Sequence, residues 1–99
     1  MQNFSNVLEA LKAGLVARRT GWNGKGMFIF LVPGSRFNVN REPLLSILGE
    51  GTPVSYHGHI DMKMADGSIM VWSPAQVDLL GDDWEILPRD YLDDTPATA

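Results

Sequence analysis

Six consecutive apolar residues, M-F-I-F-L-V at positions 27–32, lie within a chain of 99 residues. A strand with one face in water alternates apolar and polar side chains, so an uninterrupted run asks for cover on both faces. The run is far shorter than the roughly 18 or more apolar residues of a membrane helix. Glycines precede it and Pro33, Gly34 and Ser35 follow it, which are the residues that end strands. It therefore reads as a buried strand. A chain this short makes one domain that buries only about two-thirds of its unfolded surface. One helix covers one face, and the economical cover for the other is a second copy of the chain, so a homo-oligomer is expected.

The remaining elements follow from spacing. Phe4, Val7, Leu8 and Leu11 recur at i, i+3, i+4 and i+7, which predicts an N-terminal helix capped by Asn3 and closed near Gly14. Residues 15–19 predict a short strand and 20–26 a loop. E-P-L-L-S-I-L-G-E-G at 42–51 predicts a short helix begun by Pro43 and ended by glycine. In H-I-D-M-K-M-A-D-G-S-I-M-V-W-S at 59–73, Asp66-Gly67 reads as the two-residue turn of a hairpin. That register sets Met64 opposite Ile69, Lys63 opposite Met70, Met62 opposite Val71 and Asp61 opposite Trp72. Met62, Met64, Ile69 and Val71 would then face the core. Asp61, Lys63, Met70 and Trp72 would form a pocket wall or subunit contact. A third short helix begins near Pro74, and residues 84–87 predict an edge strand. The expected fold class is α+β: an N-terminal helix packed on a small antiparallel sheet, with short additional helices. Residues 1–88 are expected to form a single ligand-binding domain, and 89–99 an acidic, disordered tail.

Composition narrows the function. Without cysteine the chain suits a reducing cytoplasm, and without a basic segment leading an apolar stretch no export is expected. No membrane association is expected. A formal net charge of −4 argues against a broad grip on duplex nucleic acid, which needs a surplus of Lys and Arg. Any anionic ligand must be held locally.

The glycines of G-W-N-G-K-G at 21–26 fit neither a phosphate loop nor a dinucleotide fingerprint, because a strand and not a helix follows them. His57, His59 and Asp61 have the His-x-His-x-Asp spacing of some metal-dependent hydrolases, but two histidines and no cysteine leave the set incomplete. The adjacent acids Asp82 and Asp83 point to opposite faces of an extended segment, which does not suit paired acid–base work. No set completes a catalytic site, so a binder is expected, not an enzyme, with no metal and no cofactor. What remains is a binding constellation. Trp22 offers a flat face to a nucleobase, Asn23 reads a base edge, and Arg18, Arg19 and Lys25 hold phosphates. The alternative for the same residues is a core tryptophan flanked by solvated arginines.

R-R-T-G-W-N-G-K-G-M-F-I-F-L-V-P-G-S, N-R-E-P-L-L-S-I-L-G-E-G-T, H-I-D-M-K-M-A-D-G-S-I and D-L-L-G-D-D-W-E-I resemble the blocks of the phage-encoded Thoeris anti-defence sponge proteins of the second described type. The resemblance spans residues 4–87. It implies a homotetramer in the cytoplasm of the infected bacterial host that sequesters, without cleaving, a cyclic ADP-ribose isomer made by a TIR-domain defence enzyme. Some relatives also hold cyclic oligonucleotides at a second pocket. The ligand-binding candidates are Arg18, Arg19, Trp22, Asn23, His59, Asp61, Trp72, Ser73 and Gln76. This chain departs from the family pattern at Gly58, Val71 and Val77, where the pattern has proline, proline and threonine. Two rival classes are a metal-dependent phosphodiesterase built on His57, His59 and Asp61, and a single-strand-binding module using Trp22 and Trp72. A sponge needs nanomolar affinity, about −12 kcal/mol. One loop falls short of that once ordering costs are counted, so a pocket closed by a second subunit is expected.

Overall fold

The computed structural model describes residues 1–22 and 26–91. In chain order the elements are α1 (Phe4–Lys12), β1 (Val16–Arg19), β2 (Phe28–Val32), β3 (Ser35–Asn38), α2 (Leu44–Leu48), β4 (Pro53–Tyr56), β5 (His59–Lys63), β6 (Ile69–Val71), α3 (Gln76–Leu80) and β7 (Trp84–Leu87). The fold is α+β. Five strands form one antiparallel sheet in the order β6-β5-β2-β1-β7, and β3 and β4 pair separately.

α1 begins where the Asn3 side chain accepts a hydrogen bond from the Asn6 N–H at 3.0 Å. It buries Val7, Ala10 and Leu11 against the sheet. The sheet's core face presents Ala17 and Ile29, joined by Leu31, Ile60, Met62, Trp72, Trp84 and Ile86. Among the described residues no helix covers the opposite face, whose side chains follow from the register. There Arg18 lies across from Glu85, Phe28 from Lys63, Phe30 from Asp61, and Val32 from His59. The apolar run is thus enclosed at Phe28 and Ile29, while Phe30, Leu31 and Val32 are only half-buried.

The β5–β6 hairpin differs from the expected register by one residue. Asp61 pairs with Val71, Met62 with Met70 and Lys63 with Ile69. A two-residue type I′ turn needs positive φ at both central positions. Among the described residues only glycines have positive φ, so Asp66 does not serve. The chain instead closes a three-residue loop. Gly67 sits at φ 91° and donates to the Met64 carbonyl at 3.0 Å, while Met64 N–H donates to the Ser68 carbonyl at 2.8 Å. A one-residue slip exchanges the faces. Trp72 therefore joins the core face, and Ile69 and Val71 stand beside Lys63 and Asp61 on the uncovered one.

β3 and β4, which sequence periodicity did not reveal, form with α2 an arm over residues 33–58. It leaves the sheet where Gly34 and Gly58 pass backbone to backbone. A Cβ on Gly34 would lie 2.7 Å from the Tyr56 carbonyl oxygen, so no larger residue fits without movement. Tyr91, placed by the sequence reading in the tail, rests its ring edge-on against Phe28 on the uncovered face, centroids 6.0 Å apart. Residues 92–99 of the expected tail lie outside the described residues. Among the described residues, no helix is long and apolar enough to cross a membrane.

Candidate functional site

Trp84 opens β7 with no exposed surface, and three aromatic side chains gather on it. Phe4 comes from the first turn of α1, Trp22 from the segment after β1, and Trp72 from the end of β6. Their ring centroids lie 5.4, 5.3 and 6.0 Å from that of Trp84, and Trp22 and Trp72 meet it at 77° and 88°. Edge-to-face geometry sets the positive rim of one ring on the negative face of another. The buried indole is satisfied: Nε1 donates to the Asp78 carbonyl at 2.9 Å.

Backbone bonds fix the two flanking rings. Trp22 N–H donates to the Arg19 carbonyl at 3.2 Å, Thr20 N–H to the Asp83 carbonyl at 3.1 Å, and Trp72 N–H to the Ile60 carbonyl at 3.0 Å. Both rings are half-buried, so each keeps surface toward solvent. Ser73 and Gln76 are exposed in the stretch that leads from Trp72 into α3. Asn23, expected to read a base edge, lies outside the described residues, as does Lys25.

The two arginines part company because neighbours on a strand point to opposite faces. Arg19 turns to the tryptophan side, where Nε donates to Asp83 Oδ1 at 2.8 Å and Nη1 to Asp78 Oδ1 at 3.0 Å. These bonds hold the Asp83 carboxyl below the usual carboxylate range and raise the Arg19 guanidinium above its ordinary value. Arg18 turns to the uncovered face, where it donates to the Tyr91 hydroxyl at 2.7 Å and pairs with Glu85 at 3.5 Å.

His59 and Asp61 share that uncovered face, with Nε2 and Oδ1 3.4 Å apart. His57 lies in the connection from β4 to β5, and its carbonyl oxygen is 3.3 Å from His59 Nδ1. Among the described residues no three His, Asp or Glu side chains converge as a metal site would need. Nearby, Val16, Phe28, Phe30, Lys63, Ile69 and Arg89 line an apolar depression of about 310 Å³. Two further concavities, of about 450 and 370 Å³, lie on the arm around Phe37 and Asn38. Neither Trp22 nor Trp72 lines any of these three.

The structure thus brings Trp22, Trp72 and Arg19 together at one end of the core face, with Ser73 and Gln76 following on. It sets Arg18, His59 and Asp61 on the other face. Sequence reasoning did not single out Asp78, weighed Asp83 only as half of an acid pair and read Trp84 only as the start of an edge strand, yet these three organise the cluster. The available signal was that Trp84 is one of only three tryptophans and directly follows an acid pair.

A five-stranded antiparallel sheet with an N-terminal helix on one face, a projecting two-stranded arm and a three-tryptophan cluster defines a small α+β protein. Residues 2–87 match the family profile described as Tad2-like, Thoeris anti-defense 2-like domain. The chain is also 38% identical over 91 residues to "Thoeris anti-defense 2" of Bacillus phage SP01, covering 86% of this chain and 93% of that protein. The chain belongs to the Thoeris anti-defense 2-like family.

Proposed function

We propose that this protein binds a cyclic ADP-ribose-type immune signal and holds it uncleaved, so that the host's Thoeris defence is never triggered. The observation that carries this reading is the pair of half-exposed indoles, Trp22 and Trp72, mounted on a buried third in a family of anti-defence proteins. An indole face stacks on adenine, a contribution of about 1–3 kcal/mol per base. Asn23, Ser73 and Gln76 supply polar contacts to the riboses and the base edge.

The phosphates need cations. Arg18 is on the far face and Arg19 is held by two carboxylates, so neither serves Trp22 from within one chain. Arg36 and Arg41 of the arm make no ion pair among the described residues. A second copy that docks its arm over the cluster would bring them in, which is why a homo-oligomer is part of the proposal. Among the described residues the two acids beside the tryptophans, Asp78 and Asp83, are engaged by Arg19, and no three His, Asp or Glu side chains converge as a metal site would need, which favours storage of the signal over its hydrolysis.

The test is recovery of the ligand. The protein is incubated with a cyclic ADP-ribose isomer until the signal leaves solution, the complex is heat-denatured, and the supernatant is analysed by mass spectrometry. The expected result is return of the intact molecule, about one equivalent per site, with or without chelator. A linear or hydrolysed product would replace this reading with a phosphodiesterase. No uptake, together with retention of single-stranded DNA, would replace it with a nucleic-acid-binding module.

A further inference from the structure

We infer that Arg19 is a positioning residue, whose guanidinium ties α3 and the 81–83 turn to the end of β1 and so sets the tryptophan cluster, instead of reaching a phosphate. This rests on the reading that the cluster is the ligand's seat. The guanidinium is enclosed on three sides. Nε meets Asp83 and Nη1 meets Asp78, while Nη2 lies 3.0 Å from where a Cβ on Gly81 would stand.

The same two acids carry the connection outward. Asp78 Oδ2 accepts from the Ala75 N–H at 2.9 Å, one residue before Gln76, and its carbonyl accepts from the Trp84 indole. The Asp83 carbonyl accepts from Thr20, and the Arg19 carbonyl accepts from Trp22. One side chain thereby fixes both segments that flank Trp84. Electrostatics points the same way: one guanidinium between two carboxylates is a net negative locus, and a phosphate brought to it meets repulsion. Arginine is required because its planar fork serves two acceptors in different directions, which an ammonium on a flexible stem does not fix in place.

The experiment compares Arg19→Lys, Asp83→Asn and the double variant with the full-length wild type, below the melting transition. Both single variants are expected to keep the wild-type far-UV circular dichroism, lose the near-UV tryptophan band, and admit acrylamide to the tryptophans. The double variant should add little to either single, as members of one network do. With a cyclic ADP-ribose isomer as probe, each single variant should bind about tenfold or more weakly, as misplaced contacts do. A phosphate-binding Arg19 would give the opposite pattern: Arg19→Lys loses affinity with its near-UV band intact, while Asp83→Asn binds as well as wild type or better. That pattern overturns the inference, and so does an unchanged near-UV band in both variants. If wild type does not take up the probe, the ligand reading fails and the near-UV measurement still decides the clamp. Should Arg19→Lys not fold, the milder Asp83→Asn decides alone.

Discussion

Trp22 meets Trp84 with ring planes at 77°, an arrangement that uses a rim of one ring and a face of the other. At least one face of Trp22 is therefore left untouched by Trp84, and the side chain is only half-buried. Both roles weighed for it from the sequence, core packing and ligand stacking, are open to one indole in this position. They separate by substitution. Trp22→Ala removes the contact and the face together, and should cost about 2 kcal/mol of stability, less than truncation of a fully buried tryptophan, while abolishing binding of a cyclic ADP-ribose isomer. Trp22→Phe keeps an aromatic edge against Trp84, so most of that stability should return while affinity stays weakened by the smaller stacking face. Urea denaturation and calorimetric titration of both variants check this. Wild-type binding by Trp22→Ala would place the ligand elsewhere on the molecule.

At the scale of elements, the β5–β6 hairpin sets which side chains reach the cluster, and its loop sets the hairpin. Asp66 Oδ1 accepts from the Ser68 N–H at 2.9 Å and from the Ser68 hydroxyl at 2.6 Å, while Gly67 carries the positive φ. No atom lies within 4 Å of a Cβ added at Gly67, so replacement there meets only backbone strain. Gly67→Ala should lower stability by about 1 kcal/mol without altering the sheet, measured by denaturant midpoint at constant slope. A much larger loss would mean that the loop carries contacts beyond its own turn. This hairpin also shows where the sequence stopped being legible. Asp-Gly announced a turn, but loop length depends on whether Asp66 adopts positive φ, which residue type does not decide. Misjudging it by one residue moved Trp72 off the core face. α1 was readable because burial of one helix face leaves a periodic apolar trace, and β2 because an unbroken apolar run between glycines and Pro33-Gly34 marks a strand. β3 and β4 were not, since nearly every residue in them is exposed and selection for burial leaves no alternation to read. Arg19 looked like a phosphate ligand because its acids lie 59 and 64 residues downstream, a distance across which spacing says nothing.

Taken whole, the protein is too extended for its length. Its Cα radius of gyration is 16.4 Å, against about 13 Å for a compact domain of 100 residues. Within the arm Val39 alone is buried, while Phe37, Ile47, Leu48 and Tyr56 stand in solvent. The uncovered sheet face adds Phe30 and Val32, with Ile69 and Val71 over half-exposed beside them. Scattered apolar residues on a surface need no explanation, but an arm with one buried residue and a sheet face that no described helix covers are two unmet demands in one small chain. A second copy answers both, because a stable interface needs only about 800 Å² from each partner and these surfaces are already apolar. Light scattering coupled to size exclusion should therefore return the mass of four chains, or at least two, and not the 10.9 kDa of one. Ile47→Glu tests the arm itself: Ile47 is 69% exposed on α2, outside the core, so a charge there should leave the far-UV spectrum unchanged. If the arm seats on a partner, that charge is buried without a counterion and the oligomer dissociates. Affinity for a cyclic ADP-ribose isomer should fall with it, since the arm's arginines would then no longer reach the tryptophans of a neighbour. An Ile47→Glu protein that stays assembled would show that the arm is not the contact. One that falls to monomer yet binds normally would show that each chain holds its ligand alone.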